Sequence, residues 1–291
     1  MPDDLKPLSR KTRRTYLGVF VLLFVLCLPI AILYATGYRF QNGLSLVETG
    51  GVYISVGPSD ASVSLNGKQI GVSGFLNHSF YVDNLAPGSY AVHVARDGDY
   101  PWYKTLVVEP KIVTDAQAFL VPSEFVVRKL SVAPVSVTLA STTVVTTRLE
   151  YDTFLKSFAP TTTKSKVTTL EEVPIPNDTQ GGENLYLENG MVRLEWERST
   201  STIPSSMCST PSSCEKNVVI AKAKEKITRT NFYGGGVLYL VPSSGIFLAE
   251  VDIRPTPLVI PVYPRAGVDY RILNGRLIVK DGTSLYEISG F

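Results

Sequence analysis

Few side chains in this sequence could do chemistry, and they are scattered. There are only two histidines, His78 and His93. His93 lies in the alternating run SYAVHVAR, opposite Tyr90, Val92 and Val94, which places it on the solvent side. His78 lies in the loop Asn77-His78-Ser79, and neither histidine has a plausible nucleophile beside it. Two acidic pairs, Asp97 with Asp99 and Glu171 with Glu172, have the residue type that cleaves glycosidic bonds. Adjacency in sequence does not set the separation that such chemistry needs, and solvated turn acids explain both pairs. Asp97-Gly98-Asp99 is also too short to supply the roughly six to eight oxygens of a calcium site. The glycines of FYGGGV (232–237) precede a strand rather than a helix, so they read as a turn between repeats and not as a phosphate loop. Tyr100, Trp102 and Tyr103 form an aromatic cluster. Such rings either pack at a strand end or offer a surface platform to a sugar or protein, and these three are the candidate contact residues. Cys208 and Cys214 flank the loop CSTPSSC. A disulfide and two free thiols are the alternatives, and Pro211 favours the turn that a disulfide needs. Two sulfurs without a nearby histidine do not make a zinc site. No catalytic residue, metal site or cofactor is expected.

The elements that carry these residues begin with an apolar run. From Thr15 to Tyr38 there is no charged side chain, and the strongly apolar part, Leu17 to Ala35, is 19 residues long. As a helix it spans about 28 Å, close to the hydrocarbon thickness of a bilayer. Tyr16, Tyr34 and Tyr38 stand at its ends, where amphipathic rings favour the interface. The run exceeds a signal peptide's apolar region, and Leu33-Tyr34-Ala35 is a poor cleavage site. We therefore expect a basic cytoplasmic tail over residues 1–15 and an uncleaved signal anchor over 16–38, with the lipid bilayer as its partner. Lys6, Arg10, Lys11, Arg13 and Arg14 precede the run and only Arg39 follows closely, which puts the N-terminus inside and the rest outside. Outside the cytoplasm a Cys208–Cys214 disulfide is favoured further. A net charge of +2 gives no case for a nucleic-acid partner.

Residues 39–50 read as a linker. From Gly51 the pattern becomes short alternating runs broken by turn residues, with no helical period. Val63 and Leu65, then Ile70 and Val72, flank Asn66-Gly67, a pair suited to a two-residue hairpin turn. About six short strands in some sixty residues predict a small antiparallel sandwich. Several of its turns carry a recurring pattern. Pro58-Ser59-Asp60-Ala61 leads to Val63 and Leu65, then to Asn66-Gly67-Lys68 and Gly71. Leu85-Ala86-Pro87-Gly88-Ser89-Tyr90 and Gly98-Asp99-Tyr100-Pro101-Trp102 follow. With these residues the segment resembles a PEGA domain, a small β-sandwich module of bacterial and archaeal cell-surface proteins. The tetrapeptide keeps its first and last residues, and Asp99 splits the usual Gly-Tyr pair. The resemblance implies a sandwich over residues 51–122 and a place in the cell envelope.

Residues 123–291 are also expected to be β-rich. The Val- and Thr-rich stretch 132–173 favours strands over a stalk. ENLYLENGMVRLEW, GGVLYLVPSSGIFLAEV and NGRLIVKDGTSLYEI each read as strand, short turn, strand. This resembles β-propeller blades, about four in number, and a second all-β domain is the alternative. The fold class is thus mainly β, with one transmembrane helix, a PEGA-like sandwich and a propeller-like or second all-β domain. The expected function is that of a non-enzymatic, single-pass envelope protein making structural, adhesive, glycan or protein contact at the cell surface. A membrane-anchored, carboxylate-dependent cell-wall glycan hydrolase and a surface sensor or assembly scaffold are the alternatives.

Overall fold

In a computed structural model the structure describes residues 9–41, 45–131, 143–145, 148–159, 176–198 and 202–291. It is mainly β, with an N-terminal apolar helix, α1, over Arg10–Ala35. The helix starts inside the segment expected to be a tail. The Ser9 hydroxyl accepts from the Thr12 backbone N–H at 3.2 Å, and the following Arg and Lys residues form helix well. None of its 26 residues is buried, and it is long and apolar enough to cross a membrane.

The segment expected to be a linker is instead a hairpin. Tyr38–Gln41 pairs antiparallel with Ser45–Glu48. It is tied to its surroundings on both sides. Tyr38 donates its hydroxyl to Glu48 at 2.5 Å, and Lys111 pairs with the same carboxylate at 2.8 Å. The Gly37 carbonyl just past α1 accepts from both the backbone N–H and the hydroxyl of Thr49.

The sandwich follows. One sheet holds Ser79–Leu85, Gly50–Val56 and Val113–Ala118. The other holds Lys68–Val72, Ser62–Leu65, Gly88–Ala95 and Trp102–Val108. The hairpin turn at Asn66-Gly67 has φ of 48° and 78°, the left-handed pair that a primed turn requires. One pairing departs from the antiparallel expectation: Gly50–Val56 and Val113–Ala118 run parallel. Val52, Ile54, Val56, Val63, Val92, Val94, Leu106 and Val108 fill the space between the sheets. Each comes from alternate positions of its strand, so the two-residue period sorts apolar residues inward.

Beyond the sandwich three sheets stack in a row. Sheet I holds Asp178–Gln180, Glu183–Glu188, Met191–Trp196 and Asn217–Lys222. Sheet II holds Arg229–Tyr233, Gly236–Val241, Gly245–Ala249 and Val259–Tyr263. Sheet III holds Asp269–Leu273, Arg276–Asp281 and Ser284–Ser289, then Val126–Ser131 from before the other sheets. Thr143–Val145 adds a parallel edge to sheet III. The three repeated segments are the central hairpins of these sheets. The glycine turn Gly234-Gly235 lies within sheet II, between its first two strands, rather than between repeats.

Every residue of Gly236–Val241 is buried. Val237, Tyr239 and Val241 face the core shared with sheet I, while Leu238 and Leu240 face the core shared with sheet III. A strand covered on both faces needs an unbroken apolar run, which explains VLYLV. Among the described residues these stacked sheets number three rather than four and do not close as a propeller. The outer face of sheet III is instead covered by a second helix, α2 (Arg148–Ser157), which buries Phe154 and the following Phe158 against Leu130, Ile278 and Leu285. That helix corrects the strand reading of 132–173 over Arg148–Ser157 alone; Thr143–Val145 is a strand, and most of the stretch lies outside the described residues. The Val/Thr pattern lapses at Arg148, and Phe154 and Phe158 recur at helical spacing.

Candidate functional site

The sandwich meets the sheet stack through a buried polar junction. Along Trp102–Val108 the inward positions are Trp102, Lys104, Leu106 and Val108. Trp102 is 0% exposed, and its indole N–H donates to Glu250 at 2.6 Å. The Lys104 ammonium lies 2.7 Å from the other Glu250 oxygen, with side-chain exposures of 1% and 3%. Lys104 also donates to the carbonyls of Asp252 and Thr256, and the Leu258 N–H donates to Glu250. Burial pushes the Glu250 carboxyl up, and the Lys104 charge and the donors around it pull the other way. Two residues on, Arg254 grips Asp252 through Nε at 2.9 Å and Nη2 at 2.5 Å and reaches the Asp115 carbonyl of the sandwich at 2.9 Å. Phe119 and Leu258 pack into both the sandwich core and the core between sheets II and III, so an apolar contact flanks the ionic one.

A second clasp comes from the disulfide loop. Cys208–Thr210 and Ser213–Cys214 pair as two short strands that set Cys208 opposite Cys214, and the sulfurs are bonded. The loop's Ser212 hydroxyl donates to Glu109 of the sandwich at 2.8 Å, and Ser205 donates to Asp115 at 3.3 Å.

Beside the junction a cleft of about 530 Å³ opens between the sandwich and the stack, bordered by Asp115, Glu183, Ser205, Gly235 and Arg254. A recess of about 300 Å³ adjoins it between sheets I and II, and Glu183, Gly235 and Val251 line both. The Asp252 and Glu250 carboxylates are taken up by protein partners. Glu183 has no ion pair or side-chain hydrogen bond among the described residues, and burial pushes its carboxyl above the ordinary carboxylate range.

The aromatic cluster splits. Tyr103 is 64% exposed and stacks on His93, with ring centroids 4.2 Å apart. Trp102 is not a surface residue, because strand alternation turns it inward onto Glu250. Tyr100 is half-buried against the core between sheets II and III, and its N–H donates to the Val121 carbonyl. Of the three, only Tyr103 remains open to a partner. His93 is half-buried under Tyr103 rather than facing solvent. Asp99 pairs with Arg96 at 2.6 Å while Asp97 faces water, so the two acids do not form a catalytic pair. Glu171 and Glu172 lie outside the described residues. Among the described residues no three or more His, Cys, Asp or Glu side chains are grouped to hold a metal.

The junction was partly signalled in the sequence. Lys104 falls in phase with Trp102, Leu106 and Val108, and a lysine on an apolar face needs a buried partner. EVDIR places three charges at alternate positions directly after the apolar strand GIFLA. Nothing local joins the two segments, which lie 148 residues apart. No family model matches the chain, and no curated protein matches its sequence.

Proposed function

We propose that the chain is a single-pass envelope protein whose α1 sits in the cytoplasmic membrane and whose β-rich part stands outside as a rigid, non-catalytic contact module. The observation that carries this reading is α1 itself, a helix of 26 residues, apolar from Leu17 to Ala35, with none buried against the rest of the chain. Left in water, such a surface is costly, and the hydrocarbon of a bilayer removes that cost. Arg10, Lys11, Arg13 and Arg14 at its start favour an inside N-terminus. The Cys208–Cys214 bond at the other side of the chain suits an oxidising compartment. The resemblance of residues 51–109 to a PEGA domain points the same way.

The contact role rests on how the acids are used. Glu250 and Asp252 are each taken up by a cation, Lys104 and Arg254, where the two β-units meet, so neither carboxylate is free among the described residues. A module clamped in this way presents a fixed surface and cleft to a cell-surface protein or glycan. The glycan-hydrolase reading is kept by Glu183, whose raised carboxyl is the kind of group that serves as a general acid.

The test is protease protection in spheroplasts of cells making the full chain with a C-terminal tag. External protease should remove the tag while the membrane stays intact, and Cys208 and Cys214 should react with alkylating agent only after reduction. Recovery of an intact, soluble cytoplasmic protein with free thiols would sink the reading. Release of reducing ends from purified cell-wall glycan, abolished in Glu183→Gln, would favour the hydrolase instead.

A further inference from the structure

A cavity of about 500 Å³ lies where α1 ends and the sandwich begins. Gly37, Arg39, Gly50, Asp83 and Lys111 are among the residues that line it, at the end of the sandwich away from the cleft. Its three charged side chains are not alike. Lys111 is already paired with Glu48. Arg39 has no carboxylate partner among the described residues. Its Nη1 donates to the Tyr34 carbonyl at 2.7 Å and to the Tyr38 carbonyl at 3.0 Å, and its guanidinium lies 3.4 Å over the Tyr34 ring, so the cation is held in place. Its Nη2 has no hydrogen-bond partner among the described residues and, unlike Nε, is not buried. Asp83 is exposed and makes no ion pair or side-chain hydrogen bond among the described residues. One fixed cation and one free carboxylate thus border the same cavity. The carbonyls of Ile32, Leu33 and Tyr34, at the negative end of α1, are each taken by Thr36 or Arg39, so they oppose an anion there only weakly.

We propose that this cavity holds the headgroup of a phosphatidylethanolamine from the outer leaflet, with its phosphate on Arg39 and its ammonium on Asp83. The place selects a lipid. Tyr34 and Ala35 close the apolar run, so with α1 across a bilayer the cavity opens at the depth of the headgroups. The charges select the headgroup. Phosphatidylglycerol meets Arg39 but brings Asp83 no cation. Phosphatidylcholine carries both charges, but its quaternary nitrogen has no N–H to donate to the carboxylate. Tyr81, 59% exposed on the same strand face as Asp83, is one ring and not the aromatic cage that such a nitrogen favours. A primary ammonium supplies both the charge and three donors. Inorganic phosphate meets Arg39 alone and leaves Asp83 without a partner.

This inference rests on the single-pass reading of α1, and the test separates the two. The purified full chain in mild detergent is titrated with phosphatidylethanolamine, phosphatidylglycerol and phosphatidylcholine of the same acyl chains, and bound lipid is counted by native mass spectrometry. Phosphatidylethanolamine should bind about two- to fivefold more tightly than either competitor, the range for an exposed ion pair. Asp83→Asn should abolish that preference without weakening phosphatidylglycerol. Arg39→Gln should weaken all three lipids about three- to tenfold. Asp97→Asn, which alters an exposed acid at the other end of the sandwich, should change nothing. Millimolar inorganic phosphate should not displace the bound phosphatidylethanolamine. The inference is overturned if the three lipids bind alike, as a plain annular layer would, or if phosphatidylglycerol or phosphatidylcholine binds more tightly. It is equally overturned if phosphate displaces the lipid, or if Asp83→Asn keeps the preference while circular dichroism shows the parent fold. Absence of the preference in a chain that stays in the membrane after carbonate washing removes the headgroup site alone. A chain that carbonate releases removes the single-pass reading beneath it.

Discussion

Replacing Lys104 by Met should be a severely damaging change at the junction. Methionine matches the length of the lysine stem and keeps most of its apolar contacts, so the loss isolates the ammonium. Glu250 would remain buried with the Trp102 and Leu258 N–H groups but no cation, and the carbonyls of Asp252 and Thr256 would lose their donor. Both charged side chains are almost wholly buried, so solvent screening does not soften the effect. Breaking a buried pair from one side costs about 3–5 kcal/mol, because the surviving charge is uncompensated. For a folded unit of this size each kcal/mol lowers Tm by about 2–4 °C, which gives a fall of about 6–20 °C. The assay is thermal unfolding of the full chain in nanodiscs, followed by circular dichroism and by tryptophan emission, to which Trp102 and Trp196 both contribute. Lys104→Met with Glu250→Gln removes the stranded charge. The double variant should be less destabilised than the sum of the singles, with a coupling of about 0.5–3 kcal/mol. A Tm shift under about 2 °C for Lys104→Met, or strict additivity in the double variant, would refute the claim that this pair joins the two units.

Three further outcomes follow from side-chain placement. Trp102→Ala should cost about 3–5 kcal/mol through its cavity and the lost bond to Glu250, whereas Tyr103→Ala should cost under about 1 kcal/mol, and paired urea melts would expose a reversal of that order. Cys208→Ser with Cys214→Ser opens a loop of separation 6 and should cost about 2 kcal/mol by chain entropy, a loss that reducing agent should reproduce in the parent and not in the variant. Glu183 has a folded-state pKa raised by burial, so the folded state holds its proton more tightly than the unfolded chain does. Its contribution therefore favours folding at low pH and is lost as pH climbs from the ordinary carboxylate value, about 4.3, through the raised one. The Tm of Glu183→Gln minus that of the parent should then grow over that range, and a flat or falling difference would contradict the burial argument.

Much of the architecture was legible wherever it depends on neighbours in sequence. Asn66-Gly67 marks a turn because few other pairs tolerate two left-handed residues. The alternation of Val92 and Val94, and the unbroken VLYLV, report whether a strand is covered on one face or two. What depends on distant chain was not legible. Trp102 sits among exposed-looking tyrosines, and only the approach of Glu250 fixes it inside. Phe154 and Phe158 stand at helical spacing, but only sheet III gives them a face to cover. That sheet is completed by Val126–Ser131 and ends at the chain's C-terminus, so no local window contains it. The cavity at the end of α1 escaped notice because Arg39 and Asp83 border one space only once the chain is folded. In sequence each reads as an ordinary surface residue. The segment 39–50 looked like a linker because its strands are four residues long, below the length at which alternation is persuasive.

The chain of fastenings from α1 to the cleft bears on what the protein can do. Gly37, two residues past α1, is bonded to Thr49, whose carbonyl accepts from the Lys111 N–H. The Lys111 ammonium returns to Glu48 and lies over the Tyr38 ring at 4.6 Å. The helix end, the hairpin and the turn after Trp102–Val108 are thus one knot at the sandwich's proximal end. From that knot Gly50–Val56 runs the height of the sandwich, about 20 Å, to Gly57 and Pro58 at the cleft. Lys104, Arg254 and Ser212 then fix the sheet stack alongside the sandwich rather than leaving it on a hinge. Under the proposed topology the cleft stands at a set height above the outer face of the membrane. A tethered lid or a reaching arm would need slack at one of these points. The described connections offer none, so the cleft is held in a set place between the sandwich and the sheet stack.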